Sequence, residues 1–163
     1  MEEFLDYIKA YLNDSFTNDS DITKTVTIED AYKSGNEVTT SNVPQIQVQI
    51  LDNSEVVRYS SFEGENVSYI PLQITSYTAQ MKIAGTMVSA QRASIKFGQK
   101  IKNLLNALRN SRVNENIERC RIITMSPALP LLEGKVYTTA VRCEFWIANP
   151  YVVPPQQAVQ QQE

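Results

Sequence analysis

Few residues of this chain have types and spacing that suit chemistry. Glu63 and Glu65 flank Gly64 in a predicted turn, and paired carboxylates can serve in acid–base catalysis. Asp19 and Asp21 lie in a polar loop, and their oxygens suit calcium. An EF-hand also needs a third oxygen ligand, a glycine and a distal glutamate at set positions, and these are missing. We therefore interpret both pairs as solvated acids.

The absence of histidine decides more than any residue that is present. It excludes Ser-His-Asp triads, Cys–His pairs and His-ligated zinc, and it removes the commonest general base. The five glycines have neither phosphate-loop nor dinucleotide-binding spacing. We therefore expect a protein with no enzymatic activity, no cofactor and no metal.

Cys120 and Cys143 are too few for a disulfide framework or a Cys-based zinc site. They fall on the two strands of a predicted hairpin, close to each other if the hairpin folds about the middle of its loop. A disulfide is therefore one alternative. Burial of two free thiols as small apolar residues is the favoured one, since Cys143 lies on the apolar face of its strand.

Charge is distributed unevenly along the 163 residues. The net charge is −3, but residues 1–65 carry −9 and residues 66–163 carry +6, and no Asp or Glu occurs from Asn66 to Asn114. A chain this bipolar can bind a second copy of itself head to tail, or bind two different surfaces. The N-terminus is acidic where a secretory signal is basic, and no apolar run approaches 18 residues, so we expect no membrane partner.

Apolar periodicity predicts the elements that carry these charges. It indicates a helix over 2–13, a polar loop over 13–23, a short strand over 24–28 and a long polar excursion over 29–44. Strands follow over 45–51, 55–60 and 67–77, where Pro71 indicates an edge or a bulge. A loop over 78–88 leads to a helix over 90–109, with Ser89 as N-cap and Gly98 allowing close backbone approach. A hairpin pairs 117–125 with 135–147.

This order predicts an α+β fold. A mostly antiparallel sheet carries the N-terminal helix and the long central helix on one face, and the C-terminal hairpin completes it. We expect a single domain over 1–148, followed over 149–163 by a flexible Pro/Gln-rich tail that cannot form a core.

The central helix is basic, so a nucleic-acid-binding module is one hypothesis. Against it, the whole chain is acidic, no aromatic residues interleave the cations, and no helix-turn-helix or zinc-finger spacing surrounds them. The acidic N-terminal half offers a protein partner instead.

The segments VPQIQVQILDNS, YIPLQITSY, MKIAGTMVSAQRASIKFGQKIKNLLN and RCRIITMSPALPLLEGKVYTTAVRCEFWI, in this order, resemble the tail terminator proteins of long-tailed bacteriophages and phage-tail-like particles. The resemblance covers 1–148. It implies an α+β subunit in a hexameric ring that caps the tail tube, stops its polymerisation and presents a surface to the head's connector. A head–tail joining or tail-completion protein of the same assembly is the alternative.

The resemblance also implies partners and a location. The partners are further copies in a homohexamer, the tail tube protein, a neck or connector protein and, on a contractile tail, the sheath protein. DNA only passes through the ring, and the location is the neck end of the virion tail, assembled in the bacterial cytoplasm. The resemblance carries no catalytic motif. We expect the subunit contacts to join cations of the central helix to acids of the N-terminal half: Arg92, Lys96, Lys100, Asp19, Asp21, Glu29 and Asp30.

Overall fold

The computed structural model describes residues 2–31, 37–51, 58–60, 66–110 and 116–149. Within them lie two α-helices, α1 (Glu2–Thr17) and α2 (Ala90–Asn110). The strands are β1 (Thr27–Asp30), β2 (Gln45–Ile50), β3 (Arg58–Ser60), β4 (Asn66–Thr78), β5 (Met81–Ile83), β6 (Thr86–Val88), β7 (Ile117–Met125), β8 (Leu129–Leu131) and β9 (Val136–Asn149). A 3-10 turn, Leu132–Gly134, follows β8.

The main sheet has the order β1-β2-β4-β9-β7 in the described part of the chain. β3 continues beside β4, and β8 continues beside β9. β1 and β2 are parallel, and the other pairs in this sheet are antiparallel. The predicted α+β fold with a mostly antiparallel sheet is therefore confirmed.

Both helices pack on one side of this sheet and share one apolar core with it. On α1, Phe4 meets Phe145 of β9 edge to face, with 5.1 Å between ring centroids. Phe16 meets Phe97 of α2 at the same centroid distance. The Tyr11 hydroxyl donates to the Leu104 carbonyl over 2.9 Å, which ties the two helices together.

Helix α2 approaches the sheet most closely at Gly98. A Cβ built on this glycine would lie 2.6 Å from Cγ2 of Thr139 on β9, well inside van der Waals contact. One turn earlier, the Ser94 and Thr139 hydroxyls are hydrogen-bonded at 2.7 Å in the buried interface. The predicted close approach at Gly98 is confirmed, as is the Ser89 cap, whose Oγ accepts from the Arg92 N–H at 3.4 Å.

Helix α1 is longer than predicted. It continues to Thr17, so the first part of the expected 13–23 loop is helical. The reason is Phe16, which extends the buried series Phe4, Ile8 and Leu12 by one more turn and is 2% exposed.

Strand β1 begins later than the predicted 24–28 strand and contains Glu29 and Asp30. These residues were expected to begin the 29–44 excursion. They are strand residues because β1 runs beside β2, with Glu29 opposite Gln47. Residues 32–36 of the excursion lie outside the described ranges.

The predicted 78–88 loop contains a hairpin of β5 and β6. Each strand has three residues, which is too short for periodicity to reveal. Ala84 and Gly85 form the turn with φ of 52° and 75°, the left-handed values that two-residue hairpin turns need.

Pro71 was predicted to mark an edge or a bulge. Strand β4 is internal, and its register with β2 and with β9 shows no shift, so both alternatives are wrong. β9 pairs along all of β4, whereas β2 pairs with its second half and β3 with its start. Pro71 lies just beyond the last β2 pair, Ile50–Leu72, and its carbonyl accepts from the Leu51 N–H at 3.0 Å. The proline thus interrupts no β2–β4 hydrogen bond.

The expected tail over 149–163 lies outside the described residues from position 150 onward. None of the helices in the described ranges is long and apolar enough to cross a membrane.

Candidate interaction surfaces

The predicted site residues do not form one cluster. Lys100 and Asp19 form one pair, Asp30 pairs with Lys9, and the other four belong to neither pair. Lys100, on α2, bonds through Nζ to Oδ2 of Asp19 at 2.5 Å, in the loop after α1. Lys96 joins them at a shallow depression of about 400 Å³ between α2 and the loop after α1. The structure therefore brings an expected cation and an expected acid together within one chain.

This Lys100–Asp19 pair is held from several directions. The hydrogen bond from Lys100, together with that from the Asp21 backbone N–H, holds the pKa of the Asp19 carboxyl below its usual value. The Lys100 ammonium also sits 4.9 Å from the centre of the Phe16 ring, a cation–π contact. Lys100 is thus engaged inside the subunit.

A second internal pair lies at the start of the sheet. Lys9 of α1 contacts Asp30 of β1 at 3.2 Å and Asp6 of its own helix at 3.0 Å. Burial acts to lower the pKa of the Lys9 ammonium, but the hydrogen bonds to Asp6 and Asp30 outweigh it and raise that pKa. Asp30 is therefore also engaged within the chain.

The remaining predicted residues stand apart from these pairs. Arg92 and Lys96 are exposed on α2, and the side chain of Asp21 is exposed. Glu29 is half-buried on β1 opposite Gln47. That these groups contact a neighbouring copy remains a prediction.

The face of the main sheet away from the helices carries a second set of polar and aromatic residues. Cross-strand register places Gln49, Gln73 and Arg142 in one row, and Arg142 Nε donates to Gln73 Oε1 over 3.0 Å. Here the face forms a shallow groove of about 460 Å³, lined by Tyr77 and Thr138 among others. Gln47 and Gln49, two of the alternating glutamines of β2, line this groove.

Farther along the same face, two aromatic rings and one guanidinium group lie in contact. Tyr69, Trp146 and Arg119 form one cross-strand row. The ring centroids of Tyr69 and Trp146 are 5.3 Å apart, and Cζ of Arg119 lies 5.1 Å from the Trp146 ring centre. The Tyr69 hydroxyl donates to Glu144 Oε1 over 2.6 Å. Arg121 lies opposite Glu144 in the next row and is exposed.

We call the set Tyr69, Arg119, Arg121, Arg142 and Trp146 the basic–aromatic patch. At the β7 edge it continues into a groove of about 450 Å³ between β7 and α2, where Lys102 adds a further cation. Arg142 and Trp146 lie an even number of residues apart on β9 and so share a strand face, but the register that joins them to Tyr69 and Arg119 comes only from the fold. Trp, Tyr and Arg are the residues enriched at the energetic centres of protein interfaces.

The cysteines lie on the opposite, helix-facing side. Cys120 and Cys143 are both buried thiols outside any disulfide, near each other on adjacent strands. Burial, with smaller contributions from Cys120 and Glu144, raises the pKa of the Cys143 thiol well above its usual value. The favoured interpretation of the cysteines as small apolar core residues is confirmed.

No group of three or more Cys, Asp or Glu side chains in the described ranges is placed to hold a metal ion. Glu63 and Glu65 lie outside those ranges. Comparison with protein-family models finds no match for this chain, and comparison with curated protein sequences finds none either.

Proposed function

We propose that this chain is a structural virion protein, a tail terminator. It forms a homohexameric ring that caps the tail tube, stops tube polymerisation and provides the interface to the head or neck connector. The resemblance of the four quoted segments, taken in order, suggests this function, and the surfaces of the subunit support it.

The architecture is compatible with the subunit that the resemblance implies. The first segment contains β2, the second forms most of β4, the third contains β5, β6 and most of α2, and the fourth contains most of the β7–β9 hairpin. Their described residues lie in one α+β unit with a shared core. Fold alone does not specify function, so the weight falls on the surfaces.

The observation that carries the proposal best is the basic–aromatic patch. It lies on a sheet face from which both described helices are absent, and its composition is that of a protein interface. A ring needs two different patches that meet between successive copies. The excess of acid in residues 1–65 and of base in residues 66–163 supplies opposite charges for such a contact.

The proposal has a direct test in two steps. Mass photometry of the purified chain should give a particle of six times the 18.4 kDa subunit mass. Added to tail tubes growing in vitro, the assembled protein should stop elongation and appear by electron microscopy at one tube end. Unchanged tube length at saturating protein would contradict the terminator function. Binding to the connector without any effect on tubes would favour the head–tail joining alternative.

A further inference from the structure

We propose that the basic–aromatic patch docks on the exposed acidic side of helix α1 in a second copy of the chain. This inference rests on the proposed ring and names the surfaces that close it. It differs from the contact expected from sequence, which used the cations of α2.

The acidic partner surface is defined by the periodicity of α1. Its core residues recur every four positions and face the sheet and α2. The opposite side is exposed and carries four acids, which we call the acidic strip: Glu2, Glu3, Asp6 and Asp14. Lys9 is the sole cation in the helix sequence, and it already contacts Asp6 and Asp30. The strip therefore presents a strongly negative surface.

The charge of the other surface is complementary. The patch exposes three cations, Arg119, Arg121 and Arg142. Glu144, the carboxylate between them, is half-buried and accepts a hydrogen bond from the Tyr69 hydroxyl. Arginine pairs with carboxylates through two parallel N–H···O bonds. The cation–π contact with Trp146 restrains the Arg119 side chain before docking, and the hydrogen bond to Gln73 restrains Arg142. The patch thus offers three guanidinium groups beside two aromatic rings to a row of acids.

The positions of the two surfaces favour a head-to-tail contact over a reciprocal one. α1 lies on one side of the sheet and the patch on the other, so the surfaces face in opposite directions on one subunit. Opposite-facing complementary patches join copies head to tail; such contacts form closed rings when the rotation between copies closes and open filaments when it does not, and the proposed function requires the ring. The α2 cations lie on the same side of the sheet as α1, where two copies can also meet reciprocally and close as a dimer.

The internal ion pair of Lys100 also favours the patch over the α2 cations as the docking surface. Asp19 engages this ammonium at 2.5 Å, which leaves Arg92 and Lys96 as the exposed members of the expected α2 contact. Single-stranded nucleic acid is the other class of ligand that suits aromatic rings beside arginines. The acidic strip on the same chain favours protein, and the test below separates the two.

The experiment compares matched charge reversals by mass photometry over a concentration series at low salt. Arg119→Glu with Arg121→Glu should raise the concentration for half-assembly by at least about tenfold. Arg92→Glu with Lys96→Glu, an equal change of charge on α2, should leave it within about twofold of the parent. Circular dichroism and thermal unfolding check that each variant is folded. If the Arg119→Glu, Arg121→Glu variant is not folded, Arg142→Glu takes its place in the comparison.

Rescue makes the test specific. By itself, the variant Glu3→Lys with Asp14→Lys should assemble more weakly than the parent. Combined with Arg119→Glu and Arg121→Glu, it should assemble as the parent does. If assembly survives the Arg119 and Arg121 reversal, this inference is overturned, but the proposed function as a ring is not. A parent chain that stays monomeric contradicts the ring and the inference together. Fluorescence anisotropy with single-stranded DNA completes the set, because DNA binding that the patch reversal abolishes while assembly persists assigns the patch to nucleic acid.

Discussion

The ammonium of Lys100 and the carboxylate of Asp19 meet at 2.5 Å, 81 residues apart in the sequence. The side chains are 24% and 23% exposed, so water screens the pair only in part. The contact fastens the loop after α1 to the middle of α2, beside the Phe16 ring. Part of the acid–base asymmetry along the chain is therefore satisfied within one subunit.

This pair should make stability depend on pH in acid. Because the pKa of folded Asp19 is lowered, its contribution is complete above the ordinary value of 3.8 and is lost as pH falls through the folded value. Asp19→Asn should reduce the free energy of unfolding by about 1 kcal/mol at pH 7. The difference from the parent should shrink towards zero below the ordinary pKa. Thermal unfolding of both proteins from pH 7 to about pH 2 measures this.

Asp21→Asn is the matched control, since the side chain of Asp21 is exposed two residues away. It should stay close to the parent at every pH. An Asp19→Asn protein as stable as the parent at pH 7 would show that the pair contributes nothing to folding.

Contact between α2 and β9 leads to a second prediction. Gly98→Ala gains about 1 kcal/mol of helix propensity, but its Cβ would meet Cγ2 of Thr139 at 2.6 Å. Overpacking of this kind costs about 1–3 kcal/mol, so we expect a net loss of stability. Chemical denaturation of the variant and the parent tests the sign.

Thr139→Ser supplies the control, because it removes Cγ2 and keeps the hydroxyl that bonds Ser94. Gly98→Ala should be much less harmful in the Thr139→Ser background than in the parent. Equal losses in both backgrounds would locate the cost elsewhere than at this contact.

The sequence predicts long, regular elements well because a buried face repeats many times within them. α2 ends within one residue of its predicted end, since seven apolar residues mark one side over five turns. The three-residue strands β5 and β6 have no such repetition and were missed. The end of α1 was misplaced because turn-forming residues around Asn13 outweighed the single later signal, Phe16.

The candidate surfaces show the same division. Alternation along β2 and β9 assigns Gln47, Arg142 and Trp146 to strand faces. Which strands are neighbours, and in what register, depends on contacts between residues far apart in sequence. The Tyr69–Trp146–Arg119 row and the Lys100–Asp19 pair both arise from such contacts. The Glu29–Gln47 pairing likewise depends on a parallel contact that periodicity does not reveal.

The cysteines should resist thiol reagents in the folded protein. Both side chains are about 1% exposed, and the raised pKa keeps the Cys143 thiol in its neutral, unreactive form up to alkaline pH. A colorimetric thiol assay at pH 8 should detect close to none without denaturant and two per chain in guanidinium chloride. Rapid titration of both thiols in the native state would contradict the packing of β7 and β9 described above.

Trp146 offers an optical reading of assembly, since it is the sole tryptophan in the sequence and belongs to the basic–aromatic patch. Docking of the patch removes water from the ring, so emission should shift to shorter wavelength as protein concentration rises through the assembly range. Iodide should quench the assembled form less than the monomer. The Arg119→Glu, Arg121→Glu variant should show neither change, and a parent spectrum that does not vary with concentration would argue against burial of this residue.

Salt dependence distinguishes a charged interface from an apolar one. Exposed complementary charges are screened within about 8 Å at physiological ionic strength, and the screening length falls to about 3 Å at 1 M salt. The proposed ring should therefore require progressively higher protein concentration to assemble as sodium chloride rises from 0.05 to 1 M, by mass photometry. The charge-swapped variant, which exchanges the signs of the patch and the acidic strip, should follow the same curve because the attraction is preserved. A ring whose assembly does not change up to 1 M salt would instead point to an apolar contact. Exposed apolar residues that could form it are Ile123 of β7, Leu129 of β8 and Leu132 of the 3-10 turn.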